Sequence, residues 1–284
     1  MFTIANILTG FNLLAGVSSI ICAFSGRLEL AVVLIFIGAL LDFLDGFVAR
    51  LLKQPSELGK QLDSLADVVT FGVAPGVIVF ILFILSGALD LTLQYGGKID
   101  DFWLEGTMGY SIQYWISSYL NDLVGNENPY YISHFKGWYL VLPFVALFIP
   151  FMSMFRLAKF NLDQRQTENF IGLPTPANAI FFASLALLIW DGFGTEDWRS
   201  TLSLTLIKDQ VLMTFVVVFS VLLIAELPLF SLKFKSFGVK ENTWRYVLIL
   251  ISVVLLVLLY VWAIPLIIIA YILLSIATTK WGKA

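Results

Sequence analysis

The chain alternates long apolar runs with short polar breaks. Intervals 1–26, 68–89, 137–155, 169–190, 210–225 and 246–279 contain no Asp, Glu, Lys or Arg. A helix needs about 20 largely apolar residues to cross a bilayer, so each of the first five predicts one span. The last is longer and carries Pro265 near its middle, which predicts a short two-helix hairpin. Residues 30–50 add a further span once Asp42 and Asp45 are tolerated inside it. The pattern predicts an all-α, polytopic transmembrane bundle of about eight spans. Pro55 and Gly59 interrupt the helical pattern between the second and third spans. We expect a membrane core over 1–230 with an outer loop insertion at about 88–136. A cytoplasmic loop and a C-terminal transmembrane hairpin then occupy 231–284.

Composition agrees with this reading. Of 284 residues, 59% are hydrophobic and 13% charged, where a soluble protein carries about 25% charged residues. The start "MFTIANILTG" has no basic region and no small-residue cleavage site, so no removable signal peptide is expected. Cys22 is the single cysteine, cannot pair internally and reads as a packing residue. His134 is the single histidine and reads as a solvated loop residue. A zinc or haem centre built from several such ligands is excluded. The net charge of −3 gives no reason to expect a nucleic-acid partner.

Charge also sets the expected orientation. With eight spans, the segments around 50–60, 156–170, 231–245 and 280–284 share one side with the N-terminus. They hold twelve of the 17 Lys and Arg residues. The positive-inside rule puts that side in the cytoplasm. The stretch 88–136 then faces outward, and its tyrosines and tryptophans suit an interfacial belt or an amphipathic segment on the membrane.

One polar cluster stands out. Asp42 and Asp45 are three residues apart near the end of span two, and Asp63 and Asp67 are four apart early in span three. Both spacings put side chains on one helical face, and an antiparallel pair joined by a short loop brings the two faces together. Four converging carboxylates repel unless hard cations sit among them, and all-oxygen clusters suit Mg²⁺, Mn²⁺ or Ca²⁺. Two such ions between facing helices are a workable design for phosphoryl chemistry. Gly46 and Ala49 let a flat ligand approach the backbone, Arg50 offers a fork for phosphate, and Ser56 and Gly59 offer a hydroxyl and bare backbone in the loop. Helix caps and surface charges are the plainer reading of any one of these aspartates.

Written out, the stretch is Asp42-x2-Asp45-Gly46-x2-Ala49-Arg50-x8-Gly59-x3-Asp63-x3-Asp67. It resembles the signature of the CDP-alcohol phosphotransferases at every fixed position. Three further stretches, "FGVAPG" (71–76), "RLAKFN" (156–161) and "GLPTPAN" (172–178), with "NILTGFNLLAGV" (6–17), resemble the branch of that family that uses serine as acceptor. Ala5 stands where the family carries a proline. The resemblance implies a membrane transferase whose substrates are CDP-diacylglycerol and L-serine. It implies two divalent ions, Mg²⁺ or Mn²⁺, held by Asp42, Asp45, Asp63 and Asp67, with Asp67 also the general base. Asn6, Thr9, Gly46, Ala49, Arg50, Ser56 and Gly59 would line the CDP-lipid site. It further implies a homodimer among membrane lipids. We expect a bacterial plasma membrane, with the active site on the cytoplasmic side that the charge pattern sets.

The extra motifs also have physical readings. Serine is a zwitterion, so Arg156 suits its carboxylate and Asn161 could orient the amino acid; positive-inside anchoring is the plainer role for Arg156. "GLPTP" suits a rigid turn ahead of span five. Two other readings stay open here. Another acceptor, glycerol 3-phosphate or inositol phosphate, would use the same aspartates. A divalent-cation transporter would also put acids in spans, though nearer the midplane and in repeated halves.

Overall fold

The computed structural model describes residues 3–53, 56–96, 108–125, 134–162, 170–193, 195–230, 238 and 242–281. These residues are almost entirely helical, in keeping with a solvent that leaves no backbone group unpaired. Helix α1 is Ile4–Phe24, α2 Leu28–Leu51 and α3 Glu57–Asp67. A π-helical segment, Val68–Val73, joins α3 to α4, Ala74–Gln94. Then follow α5 (Met108–Val124), α6 (Trp138–Val141), a 3₁₀ segment (Leu142–Leu147) and α7 (Phe148–Leu162). After these come α8 (Thr175–Gly192), α9 (Trp198–Leu206) and α10 (Asp209–Ile224). The chain ends in α11 (Thr243–Leu259), a 3₁₀ turn (Tyr260–Trp262) and α12 (Ala263–Trp281).

Among the described residues six helical runs are long and apolar enough to cross a membrane, and the bent pair α9–α10 makes a seventh. The run Thr243–Thr278 is 36 residues, about 54 Å if straight and far longer than a bilayer core. It does not run straight. Tyr260 breaks it at φ 50, and Asn242, Trp244 and Arg245 line the same pocket as Thr278 from the other arm. The two arms fold back on each other, with Pro265 in the first turn of the second arm rather than at the bend. The expectation of about eight spans is corrected to six or seven among the described residues.

The central element is α4. Ile78, Val79, Ile81 and Leu82 are fully buried, because α1, α2, α5, α8 and α10 all pack around it. By contrast Ile4, Phe11, Phe43, Phe47, Phe151 and Val257 are exposed on the outer helices, the apolar surface that lipid would cover. Cys22 packs against the core as expected.

Helix α1 and the second and third spans meet at a glycine contact. A Cβ on Gly16 would lie 2.5 Å from Thr70 Oγ1 and 2.8 Å from its Cα, and one on Gly38 would lie 2.5 Å from Thr70 Cγ2. Thr70, in the π-helical segment, is wedged between two glycines on two helices. Small residues allow this close approach in membrane bundles.

The opposite end of the bundle is tied differently. Helix α5 buries Ile112, Trp115, Ile116 and Tyr119, and the Tyr119 hydroxyl donates to the Leu140 carbonyl at 2.7 Å. It is amphipathic, as the aromatic pattern allowed, and docked on the bundle. His134 is not simply solvated: its Nδ1 lies 3.0 Å from Ser118 Oγ and its ring stands edge-on to Trp115. The hairpin tip is held by Trp262, whose Nε1 donates to Asp191 Oδ2 at 2.8 Å; Arg199 donates to the same oxygen at 3.1 Å.

On the aspartate side, a two-stranded ribbon pairs β1 (Phe170–Ile171) with β2 (Pro228–Leu229). It stiffens the entry to α8. Gly172 sits at φ +80 just before Pro174 caps that helix, so "GLPTP" forms the rigid turn its residues suggested.

Candidate active site

Two helix ends and one helix start build the site. Near its start α1 presents Asn6, Thr9 and Asn12; near its end α2 presents Asp42, Asp45 and Arg50; α3 presents Asp63 and Asp67. Ser56 caps α3, its Oγ accepting from the Gly59 amide at 3.0 Å, which fixes where the third span begins.

The aspartates divide into a group of three and a neighbour. Asp42, Asp63 and Asp67 each offer an oxygen within 4.8 Å of the others. Asp45 stands beside them, its Oδ2 accepting from the Thr9 hydroxyl at 2.6 Å. The spacing placed all four on facing surfaces, and α1 then draws Asp45 aside. Asp45 and Asp67 are buried, and Asp63 Oδ1 is buried without a hydrogen-bond partner. A buried carboxylate oxygen left bare costs about 1–3 kcal/mol or more. Three clustered acids with an orphaned oxygen suit a hard divalent cation, the class of ion that the pattern implied.

A cavity of about 250 Å³ opens beside this group. Asn6, Thr9, Gly46, Ala49, Arg50, Ser56 and Gly59 all line it, together with Asp45 and Asp63. Every residue expected around a CDP-lipid therefore meets in one space. Ala5 and Lys60 line it too, and the signature named neither. At Gly59 a Cβ would stand 3.0 Å from Ser56 Oγ and 3.1 Å from Asn6 Oδ1, so glycine keeps this wall thin.

Thr9 gives a direct test of the cavity wall. Its bond to a carboxylate is short, and hydrogen bonds to charged groups are worth about 1.5–3 kcal/mol. Thr9→Val should lower kcat/KM by roughly 10- to 100-fold, whereas Thr9→Ser should stay near wild type. A loss in Thr9→Ser with normal turnover in Thr9→Val would make the methyl group, not the hydroxyl, the important part.

The two residues expected at serine part company. Arg156 is buried on α7, its guanidinium 4.9 Å from the Phe160 ring centre and in electrostatic reach of Asp67 and Asp42. Asn161 is turned to α3 instead: its Nδ2 donates to Ser64 Oγ at 2.7 Å, and its carbonyl accepts from Lys60 Nζ at 3.0 Å. Neither Arg156 nor Asn161 is among the residues lining the cavity. These bonds join residues about a hundred positions apart, so nothing in "RLAKFN" alone reveals them. Asn12 is the site residue that sequence reading passed over. It lies wholly buried on α1, and its Nδ2 donates to Asp67 Oδ1 at 3.2 Å.

Comparison with known proteins covers the same part of the chain. Residues 2–95 match the family model for CDP-alcohol phosphatidyltransferase, a span that contains the cavity and all four aspartates. The chain is 29% identical over 178 residues to a CDP-diacylglycerol–serine O-phosphatidyltransferase of Bacillus subtilis, covering 63% of this chain and 69% of that one. A Helicobacter pylori protein of the same name is 26% identical over 254 residues, covering 88% and 80%. An archaetidylserine synthase of Methanothermobacter thermautotrophicus is 28% identical over 193 residues, covering 67% and 59%.

Proposed function

We propose that this chain, whose residues 2–95 carry a CDP-alcohol phosphatidyltransferase domain, transfers the phosphatidyl group of CDP-diacylglycerol to the hydroxyl of L-serine. Phosphatidylserine and CMP result. The observation that carries this reading is one cavity in which the seven candidate CDP-lipid residues adjoin Asp45 and Asp63. Serine is favoured as acceptor because it appears in the names of the relatives, whether their lipid is diacylglycerol or archaeol.

In this reading the nucleotide lies in the cavity, and Arg50 faces its diphosphate with a planar, permanently charged fork. Gly46 and Gly59 leave the backbone open to the ligand. Asp42, Asp45, Asp63 and Asp67 would hold two divalent ions, Mg²⁺ or Mn²⁺, which when bound neutralise the diphosphate. Arg156 receives the serine carboxylate, and Asn161 braces α3 against α7. Asp67 takes the proton from the serine hydroxyl, whose own acidity is far too low for attack. The serine oxygen bonds to the phosphatidyl phosphorus, the bond from that phosphorus to the CMP oxygen breaks, and CMP leaves with the electron pair. Acyl chains lie among the exposed apolar faces of the bundle. We place the enzyme in a bacterial plasma membrane as a homodimer, with this site on the positively charged, cytoplasmic side.

The test is CMP release from CDP-diacylglycerol by purified protein in Mn²⁺ or Mg²⁺. Serine, glycerol 3-phosphate and inositol phosphate would be compared as acceptors. Release with serine alone, abolished by EDTA and restored by added Mn²⁺, is the expected result. Release with another acceptor would overturn the serine assignment and keep the domain. No release with any acceptor would remove the transferase reading.

A further inference from the structure

We infer that Asn12 is a positioning residue for Asp67, holding one carboxylate oxygen so that the group faces the other aspartates. This inference rests on the function proposed above. Asn12 is fully buried in an otherwise apolar stretch of α1, where an amide is costly unless it is engaged. It grips the third span twice. Its side-chain Nδ2 donates to Asp67 Oδ1 at 3.2 Å, and its backbone carbonyl accepts from Thr70 Oγ1 at 2.9 Å. These contacts fall three residues apart, on either side of the point where α3 gives way to the π-helical segment.

The chemistry leaves little choice of side chain. Asp67 is ionised when it binds a cation, and is then an acceptor only. A neighbour at this distance must donate without adding a charge, which would change the site's total. Aspartate would repel it and lysine would compete with the cation. An asparagine amide donates and stays neutral. The π-helical segment makes such a hold necessary. It adds a residue per turn immediately after Asp67, so the helix beyond cannot set the direction of that carboxylate. A fixed point on α1 can. Outer-shell partners of this kind typically change metal affinity or activity by about 10- to 100-fold when removed.

The experiment uses full-length protein in detergent and reads Mn²⁺ binding by electron paramagnetic resonance, beside kinetics with CDP-diacylglycerol and serine. Asn12→Leu removes the donor at similar volume. Ser19→Ala is the control: Ser19 is buried on the same helix and donates to the Ala31 carbonyl at 2.7 Å, two turns further from the site. We expect Asn12→Leu to weaken Mn²⁺ binding and to lower kcat at saturating Mn²⁺, each by about 10- to 100-fold. The KM for CDP-diacylglycerol should change little. Ser19→Ala should lose thermal stability with Mn²⁺ binding unchanged. Wild-type Mn²⁺ affinity and kcat in Asn12→Leu would overturn the inference while leaving the proposed function standing. Equal loss of Mn²⁺ binding in both variants would reduce Asn12 to a packing residue. If Asn12→Leu does not fold, Asn12→Ser, which keeps a neutral donor on a shorter arm, should bind Mn²⁺ more weakly than wild type; unchanged binding there would also overturn it. Wild-type protein that binds no Mn²⁺ would instead count against the function itself.

Discussion

Asp67→Asn should abolish transfer, lowering kcat by about a thousandfold or more, since a general base alone contributes about 10²–10⁴. The variant should nevertheless fold. Asparagine has the same shape, and its amide oxygen can still accept from Asn12, which holds Asp67 at 3.2 Å in the wild type. Removing one of three clustered negative groups also relieves repulsion. Thermal unfolding of the metal-free variant is therefore expected at or above the wild-type temperature. A functional group held against its own electrostatics behaves in this way, losing activity while stability holds or rises. Loss of both together would make Asp67 a structural residue, and near-normal turnover would place the base elsewhere.

The second large effect falls on a residue that touches no substrate. Gly16→Ala places a methyl group 2.5 Å from Thr70 Oγ1 and 2.8 Å from Thr70 Cα. Rotating the Thr70 side chain relieves only the first contact, so the backbone of the π-helical segment has to move. Overpacking of this kind costs about 1–3 kcal/mol. The movement is transmitted to Asp67, three residues earlier on the same strut. We expect a lower unfolding temperature and at least a tenfold fall in kcat/KM. Thr70→Ala should restore part of the stability by removing the hydroxyl contact. A Gly16→Ala protein with wild-type stability and turnover would show that α1 can slide away, and that the glycine wedge does not set the site.

Much of this arrangement is legible before any fold is known, because lipid imposes simple rules. Charge-free intervals locate most of the spans, and i, i+3 and i, i+4 spacings put the aspartates on facing surfaces. The signature also lists side chains that meet in one cavity, from Asn6 on α1 to Gly59 on α3. What escapes is set by partners distant in sequence. Asp45 leaves the other three because Thr9, 36 positions away, captures it. Asn12 looks like an ordinary interruption of an apolar run until Asp67 is found beside it, 55 positions on. Asn161 is tied to α3 through Ser64 and Lys60, about a hundred positions earlier. The π-helical segment leaves no local mark either, since Val68–Val73 has the composition of any transmembrane helix. Helix α5 reads as an amphipathic segment because only one of its faces is apolar, but what that face covers belongs to α4, distant in sequence.

The central claim is that a serine oxygen replaces CMP on phosphorus at the aspartate cluster. The most direct measurement uses serine labelled with ¹⁸O in its hydroxyl, with wild-type protein, CDP-diacylglycerol and Mn²⁺, and mass spectrometry of both products. The label should be retained in newly formed phosphatidylserine, CMP should carry none, and neither product should form with Asp67→Asn. CMP released without labelled lipid, or labelled lipid formed equally well by Asp67→Asn, would contradict it.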